Sequence, residues 1–354
     1  MFKRVLFFLI LFLLSFIYCF AETDKILEEY EEALELEQSD MVGAIAVYNE
    51  IINKNPDFIE AYIELGKCYR KIKDYDNSII LFNKLLKSKP SFSMAYEELG
   101  WIYLDKNQIN KSLEYFQKAW ELSPDNCCIE ANLGLIYIEK RFYNTGMNHC
   151  KRALRLNSSC VAAYNNLSRA YYKLEKIDLA ISCCKKAIEI DPDYAWAYCN
   201  LGTCYYQNKE YDKAIKELST ALKICFEGSD TSRINIYRIY NNLGLTYFEA
   251  GKLDMAFLHL QKSIEADPKN PAPYNNVAWF YAQNEINLDE GIKLVQKAID
   301  IEPDNPVYID TLAELYYKKK DYPKAIESIE KAIQLDPKKE YYKEQKEKFE
   351  SAKQ

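Results

Sequence analysis

The stretch YNNLG, residues 240–244, returns along the chain with small changes: YNNL at 164–167, YCNLG at 198–202 and YNNV at 274–277. A tyrosine and an aliphatic residue three positions apart share one side of a helix. Glycine and asparagine are poor helix formers, so their return at fixed offsets answers to something other than helix propensity. Proline supplies the ruler. Pro56, Pro90, Pro124 and Pro192 fall on a 34-residue beat, with Ser158 at the one beat without a proline, and the beat resumes at Pro268, Pro303 and Pro337. A fixed period of this size marks stacked copies of one supersecondary unit.

With the proline numbered 32, the fifth copy runs from Val161 to Tyr194. Each copy reads as two helices. In the first, bulky residues at positions 4, 7 and 11, such as Tyr62, Leu65 and Tyr69, fall on one face. Position 8 is small throughout copies two to nine: Gly66, Gly100, Gly134, Ser168, Gly202, Gly244, Ala278 and Ala313. A small residue there admits a close neighbour, which offsets the helix penalty of glycine. In the second helix, positions 20, 24 and 27 form the inward set, as in Ala180, Cys184 and Ala187. Asp-Pro then ends the helix, because proline cannot continue it.

This pattern resembles the tetratricopeptide repeat, a family of helix–turn–helix units. The resemblance covers about Lys25–Pro337 in nine copies and implies an all-α solenoid of stacked repeats. The first copy is degenerate, with Glu31 and Glu32 at positions 7 and 8, as suits a terminal repeat with one solvent-facing side. Residues 338–354 read as a polar helix closing the array. Between the sixth and seventh copies Phe226 replaces the proline and eight extra residues follow, up to about residue 236. That insertion reads as a lengthened loop, with a hinge or docking point as the alternative. One more extra residue falls in the turn near Asn284–Leu288 of the eighth copy.

The charge of −7, without a basic stripe, speaks against nucleic acid as a partner. Lys3 and Arg4 precede an apolar run, Val5–Phe20, and Ala21 closes it. Basic start, short apolar middle and small residue describe a secretory signal over residues 1–21. The expectation is an exported protein, periplasmic or otherwise in a bacterial cell envelope. The alternative is an anchor over 5–20, or a lipid on Cys19, which would be the only route to a membrane.

The family resemblance places positions 2, 5, 6, 9 and 13 of the first helix on the inner, concave wall of the array. Position 6 is asparagine in five successive copies: Asn132, Asn166, Asn200, Asn242 and Asn276. Position 5 adds Asn165, Asn241 and Asn275. A carboxamide offers an acceptor oxygen and two donor hydrogens, which matches the backbone of an extended peptide. The row resembles the asparagine ladder in the repeats of the O-linked N-acetylglucosamine transferase, though no transferase domain follows. The alternative is that these side chains only satisfy neighbouring polar groups. One hydrogen bond contributes ~0.5–1.5 kcal/mol net, while ordering a peptide residue costs ~1–2 kcal/mol. Side-chain pockets must therefore supply the surplus. Tyr172, Tyr206 and Phe248 at position 12, Trp101 and Trp279 at position 9 and Trp196 at position 2 are the candidate anchors. Packing between neighbouring copies is their other reading.

Some tetratricopeptide domains clamp a C-terminal carboxylate with Lys at position 5 and Asn at position 9. No copy here has that lysine, so such a clamp is disfavoured. The two histidines, His149 and His259, both fall at position 23 and read as ordinary surface or edge residues. No Gly-rich phosphate loop, metal-ligand spacing or catalytic constellation stands out, so neither an enzyme nor a cofactor is expected. Most of the eleven cysteines read as small packed hydrophobes. Export would permit disulfides, with Cys184, Cys199 and Cys204 near one another in the stack. The reading is a scaffold or adaptor that binds an extended protein segment. Its alternative is a structural component of a pilus, secretion or motor assembly that docks by its convex face or edges.

Overall fold

A computed structural model describes residues 25–227 and 236–353. The expected leader and most of the insertion lie outside the described residues. Every described element is a helix. The contacts divide the chain into two compact units, Met1–Asn166 and Leu167–Gln354. The first contains α1 (25–39), α2 (Met41–Lys54), α3 (Ile59–Lys71), α4 (Tyr75–Ser88), α5 (Ser93–Asp105), α6 (Ile109–Leu122), α7 (Cys127–Glu139) and α8 (Tyr143–Leu156). The boundary falls inside α9 (Val161–Lys173). The second unit continues with α10 (Ile177–Ile190), α11 (Ala195–Gln207), α12 (Tyr211–Glu227), α13 (Ile236–Glu249), α14 (Leu253–Ala266), α15 (Pro271–Asn284), α16 (Leu288–Ile301), α17 (Pro306–Lys318), α18 (Tyr322–Leu335) and α19 (Glu340–Lys353).

The turn inside the second to ninth copies has one construction. Position 15 adopts the left-handed conformation in Lys73, Asn107, Arg141, Glu175, Lys209, Gly251 and Lys320. The next N–H then reaches back to the carbonyl of position 11, as from Asp74 to Tyr69 at 2.8 Å and from Glu210 to Tyr205 at 2.9 Å. This six-to-one bond closes the first helix and reverses the chain into the second. In the eighth copy Glu285 and Asn287 are both left-handed, which takes up the extra residue. At the other turn an Asx bond holds the chain. Asn157 Oδ1 accepts from the N–H of Ser159 at 2.9 Å, so the turn survives without a proline at 158.

Positions 8 and 24 are a matched pair. A Cβ on Gly66 would lie 2.2 Å from the ring of Phe82, and one on Gly244 would lie 2.6 Å from Leu260. Where position 8 is alanine, as in Ala278 and Ala313, the facing residues are the β-branched Val295 and Ile329, all fully buried. Small serines tie the same helix pair. Ser78 donates to the Gly66 carbonyl at 2.8 Å and Ser112 to the Gly100 carbonyl at 2.7 Å. Close approach thus gives both dispersion contact and a buried hydrogen bond.

Candidate protein-binding wall

First helices of successive copies touch: α3 with α5 in the first unit, and α11 with α13, α13 with α15 and α15 with α17 in the second. Their side-by-side stacking makes a wall in each unit and puts position 6 of one copy beside position 5 or 9 of the copy before it. Asn132 Nδ2 donates to Glu97 Oε2 at 3.1 Å, and Asn166 Nδ2 to the Ala131 carbonyl at 2.9 Å. Asn242 Nδ2 donates to Thr203 Oγ1 at 3.2 Å, and Asn276 Nδ2 to Asn241 Oδ1 at 2.6 Å. Asn200 also has a polar partner. The carboxamides thus link one copy to the next.

Exposure separates them. Asn132 (6%), Asn165 (4%), Asn166 (4%) and Asn275 (6%) are covered, and the Asn275 Oδ1 has no hydrogen-bond partner. Asn200, Asn241, Asn242 and Asn276 are half-buried, so part of each stays exposed to solvent. All six aromatic candidates are half-buried as well. Several pack on neighbours. Arg70 lies over Trp101 at 5.8 Å, which also meets Phe116 edge-on at 5.4 Å. Arg238 lies over Trp196 at 5.2 Å, and Phe248 meets Phe280 at 5.7 Å. Tyr206 leans on Tyr211 at 6.1 Å, and burial raises the Tyr172 and Tyr206 hydroxyls, the latter to about 12.

The stacked turns, the matched positions 8 and 24 and the 34-residue beat meet their counterpart in four family models. Those described as tetratricopeptide repeat match residues 59–92, 95–126, 193–269 and 311–339, and one described as TPR repeat matches 168–209. Together they take in more than half of the chain. The chain is a tetratricopeptide repeat protein.

Solved structures agree on the fold. The APC/C hetero-tetramer Cut9–Hcn1 superposes with a TM-score of 0.65 at 16% identity, over 82% of this chain and 55% of that one. This chain therefore spans about half the length of that relative. Pseudomonas aeruginosa pilF gives 0.53 at 19% identity, over 64% of this chain and 98% of that one. A tetratricopeptide repeat protein from Parabacteroides merdae gives 0.52 at 17%, over 72% and 98%. No protein with a curated description matches the sequence. Tetratricopeptide repeat proteins bind peptides or proteins, and the fold is in general a non-enzymatic interaction scaffold.

The histidine expectation needs correction. His149 is no ordinary edge residue: its Nδ1 lies 2.8 Å from the carboxylate of Glu130, a side chain with no exposed surface. Glu130 occupies position 4, where the second, third and fifth to eighth copies carry tyrosine. Its carboxylate also accepts from Trp120 Nε1 at 2.7 Å and pairs with Arg152 Nε at 2.9 Å. The Tyr137 ring stacks on His149 at 5.2 Å. His259 is buried, stacked on Tyr247 at 5.2 Å, and burial lowers its imidazole. A glutamate at a core position, with His and Arg at positions 23 and 26 of its own copy, was the available signal.

The ten described cysteines carry no disulfide. Cys184 and Cys204 hydrogen-bond between α10 and α11, and that bond together with burial raises the Cys184 thiol well above its ordinary value. Among the described residues no group of histidine, cysteine and acid side chains is arranged to hold a metal ion, and no helix is long and apolar enough to cross a membrane.

The last repeat is closed by α19, whose Tyr342 and Phe349 are buried with Ile309, Ala313 and Ile329. Lys348 on α19 pairs with Glu314 at 3.0 Å. Nearby, burial, reinforced by the Glu314 carboxylate, raises the Asp310 carboxyl from 3.8 to about 7, while Lys348 and Lys339 pull the other way. The folded chain keeps a proton that the unfolded chain releases. Stability from this group is therefore greatest below about pH 4, falls as pH rises towards 7 and is flat above it. Asp310→Asn is expected to remove that slope and to stabilise the C-terminal repeats by roughly 1–3 kcal/mol at about pH 8. Urea midpoints at about pH 5 and pH 8 read it, and an unchanged slope would place the proton on another group.

Proposed function

We propose that the first-helix wall of the second unit binds an extended protein segment. The observation that carries this reading is the single file of half-buried carboxamides, Asn200, Asn241, Asn242 and Asn276, with Trp196, Tyr206, Phe248 and Trp279 at the flanking wall positions. A carboxamide offers two donor hydrogens and an acceptor oxygen with two lone pairs, more than the internal bonds of Asn241, Asn242 and Asn276 take up. The capacity left on these half-buried side chains suits a peptide backbone, and the aromatics supply the apolar contact that hydrogen bonds alone do not. Asn132, Asn165, Asn166 and Asn275, being covered, brace adjacent repeats in this reading.

The triple variant Asn200→Ala, Asn242→Ala, Asn276→Ala tests it against peptides selected on an array for binding the unaltered chain. The expected result is about tenfold or greater loss of affinity with an unchanged circular dichroism spectrum. Undiminished binding would move the partner site to the convex face or the repeat edges.

A further inference from the structure

Among the described residues three arginines lie over tryptophan rings, and two of them have a carboxylate supplied by the chain itself. Arg70, over Trp101, pairs with Asp105 at 2.5 Å. Arg152, over Trp120 at 5.4 Å, pairs with Glu130 at 2.9 Å. Arg238, over Trp196 at 5.2 Å, is half-buried like the others, yet no described carboxylate pairs with it. A guanidinium held over an indole is positioned to present its N–H fork to a planar anion.

The surroundings have the same sign. Burial pushes the Cys199 thiol up, and the Arg238 and Arg169 guanidiniums both pull against that rise, so both charges act on one buried sulfur. From Arg169 to Glu249, the wall positions contain Arg169, Lys173 and Arg238 against the single acid Glu249. In a chain of net charge −7 this stretch is locally cationic. The last repeat differs, with Asp310 and Glu314 on its wall. Asn200 and Asn242 lie on the same two helices as the Arg238–Trp196 stack, so backbone and side-chain recognition fall within one short reach.

We propose that the α11–α13 stretch of the wall selects acidic partner segments, taking a glutamate or aspartate side chain of the guest on Arg238 above its Trp196 shelf, with Arg169 adding a second positive charge. This rests on the groove reading and adds the chemical class of the guest. A carboxylate there completes the trio that Asp105 and Glu130 complete elsewhere, and a charge-assisted bidentate pair is stronger than a neutral one.

The full chain would be titrated, by fluorescence anisotropy at low salt, with a labelled peptide of alternating Glu and Leu. Its Gln-for-Glu and Lys-for-Glu counterparts and a single-stranded oligothymidylate complete the set. The expected order is Glu above Gln by about tenfold or more and Lys weakest, with the gap shrinking as salt rises. Arg238→Gln should erase the gap between Glu and Gln peptides, while Arg70→Gln, whose carboxylate is internal, should keep it. Circular dichroism confirms that both variants fold. Equal affinity for the Glu and Gln peptides, or a gap that survives Arg238→Gln, overturns the acidic preference and leaves the groove intact. Preference for the oligonucleotide overturns the protein class of guest. No binding of any peptide overturns the groove reading itself.

Discussion

Gly202→Leu is expected to unfold the sixth repeat, at a cost of about 3 kcal/mol or more. A Cβ at this position would sit 2.6 Å from Leu218 Cγ and 3.2 Å from the Ala214 carbonyl oxygen. Leu218 has nowhere to go, since it is itself fully buried in a cluster with Cys199, Ala221 and Leu243. The carbonyl belongs to α12 and moves only if the two helices separate. In a stacked array the damage stays with one repeat and its neighbours, so native-state hydrogen exchange should show lost protection over α11 and α12 first. The pairing of positions 8 and 24 offers a rescue. The eighth and ninth repeats combine alanine with valine or isoleucine, so Gly202→Ala made together with Leu218→Val should cost less than the two changes made separately. Additive costs would mean that the two positions are not a matched pair.

The second large effect is at Glu130. Replacing His149 and Arg152 together by leucine leaves a fully buried carboxylate with the Trp120 indole as its remaining recorded partner. Removing the partners of a buried charge typically costs ~3–5 kcal/mol. Adding Glu130→Leu to that pair of changes should restore most of the loss, because an apolar replacement of a whole buried polar group is often close to neutral. Urea denaturation of the three proteins measures this. If the triple variant is no more stable than the double, the cluster stabilises the fourth repeat by packing rather than by charge.

These two sites also separate what could be read from residues alone. Gly202 was legible because its constraint repeats: eight copies with a small residue at one position point to a close approach even before the partner is known. The partner at position 24 was legible for the same reason. Glu130 was legible only as an interruption of the tyrosines at position 4 of the neighbouring copies, and such an interruption carries no repetition that names its partners. Its acceptor role depends on Trp120, ten residues earlier and in the preceding repeat. The asparagines fall between these cases. Their register on the first helix followed from the period, but the acceptors of Asn132, Asn166 and Asn276 lie 35 residues back, and that of Asn242 lies 39 residues back.

The sequence by itself determined the helix pair, its turn points and the spacing of the repeats. Those properties arise within one copy, from helical periodicity, proline and small-residue positions. Tertiary structure alone decided which wall side chains are covered and which stay half-exposed, and it alone showed that Arg238 stands over Trp196 with no described carboxylate paired to it. The reason is that burial and polar pairing on the wall are set by how each repeat is laid against the one before it, and that offset is written in no single repeat.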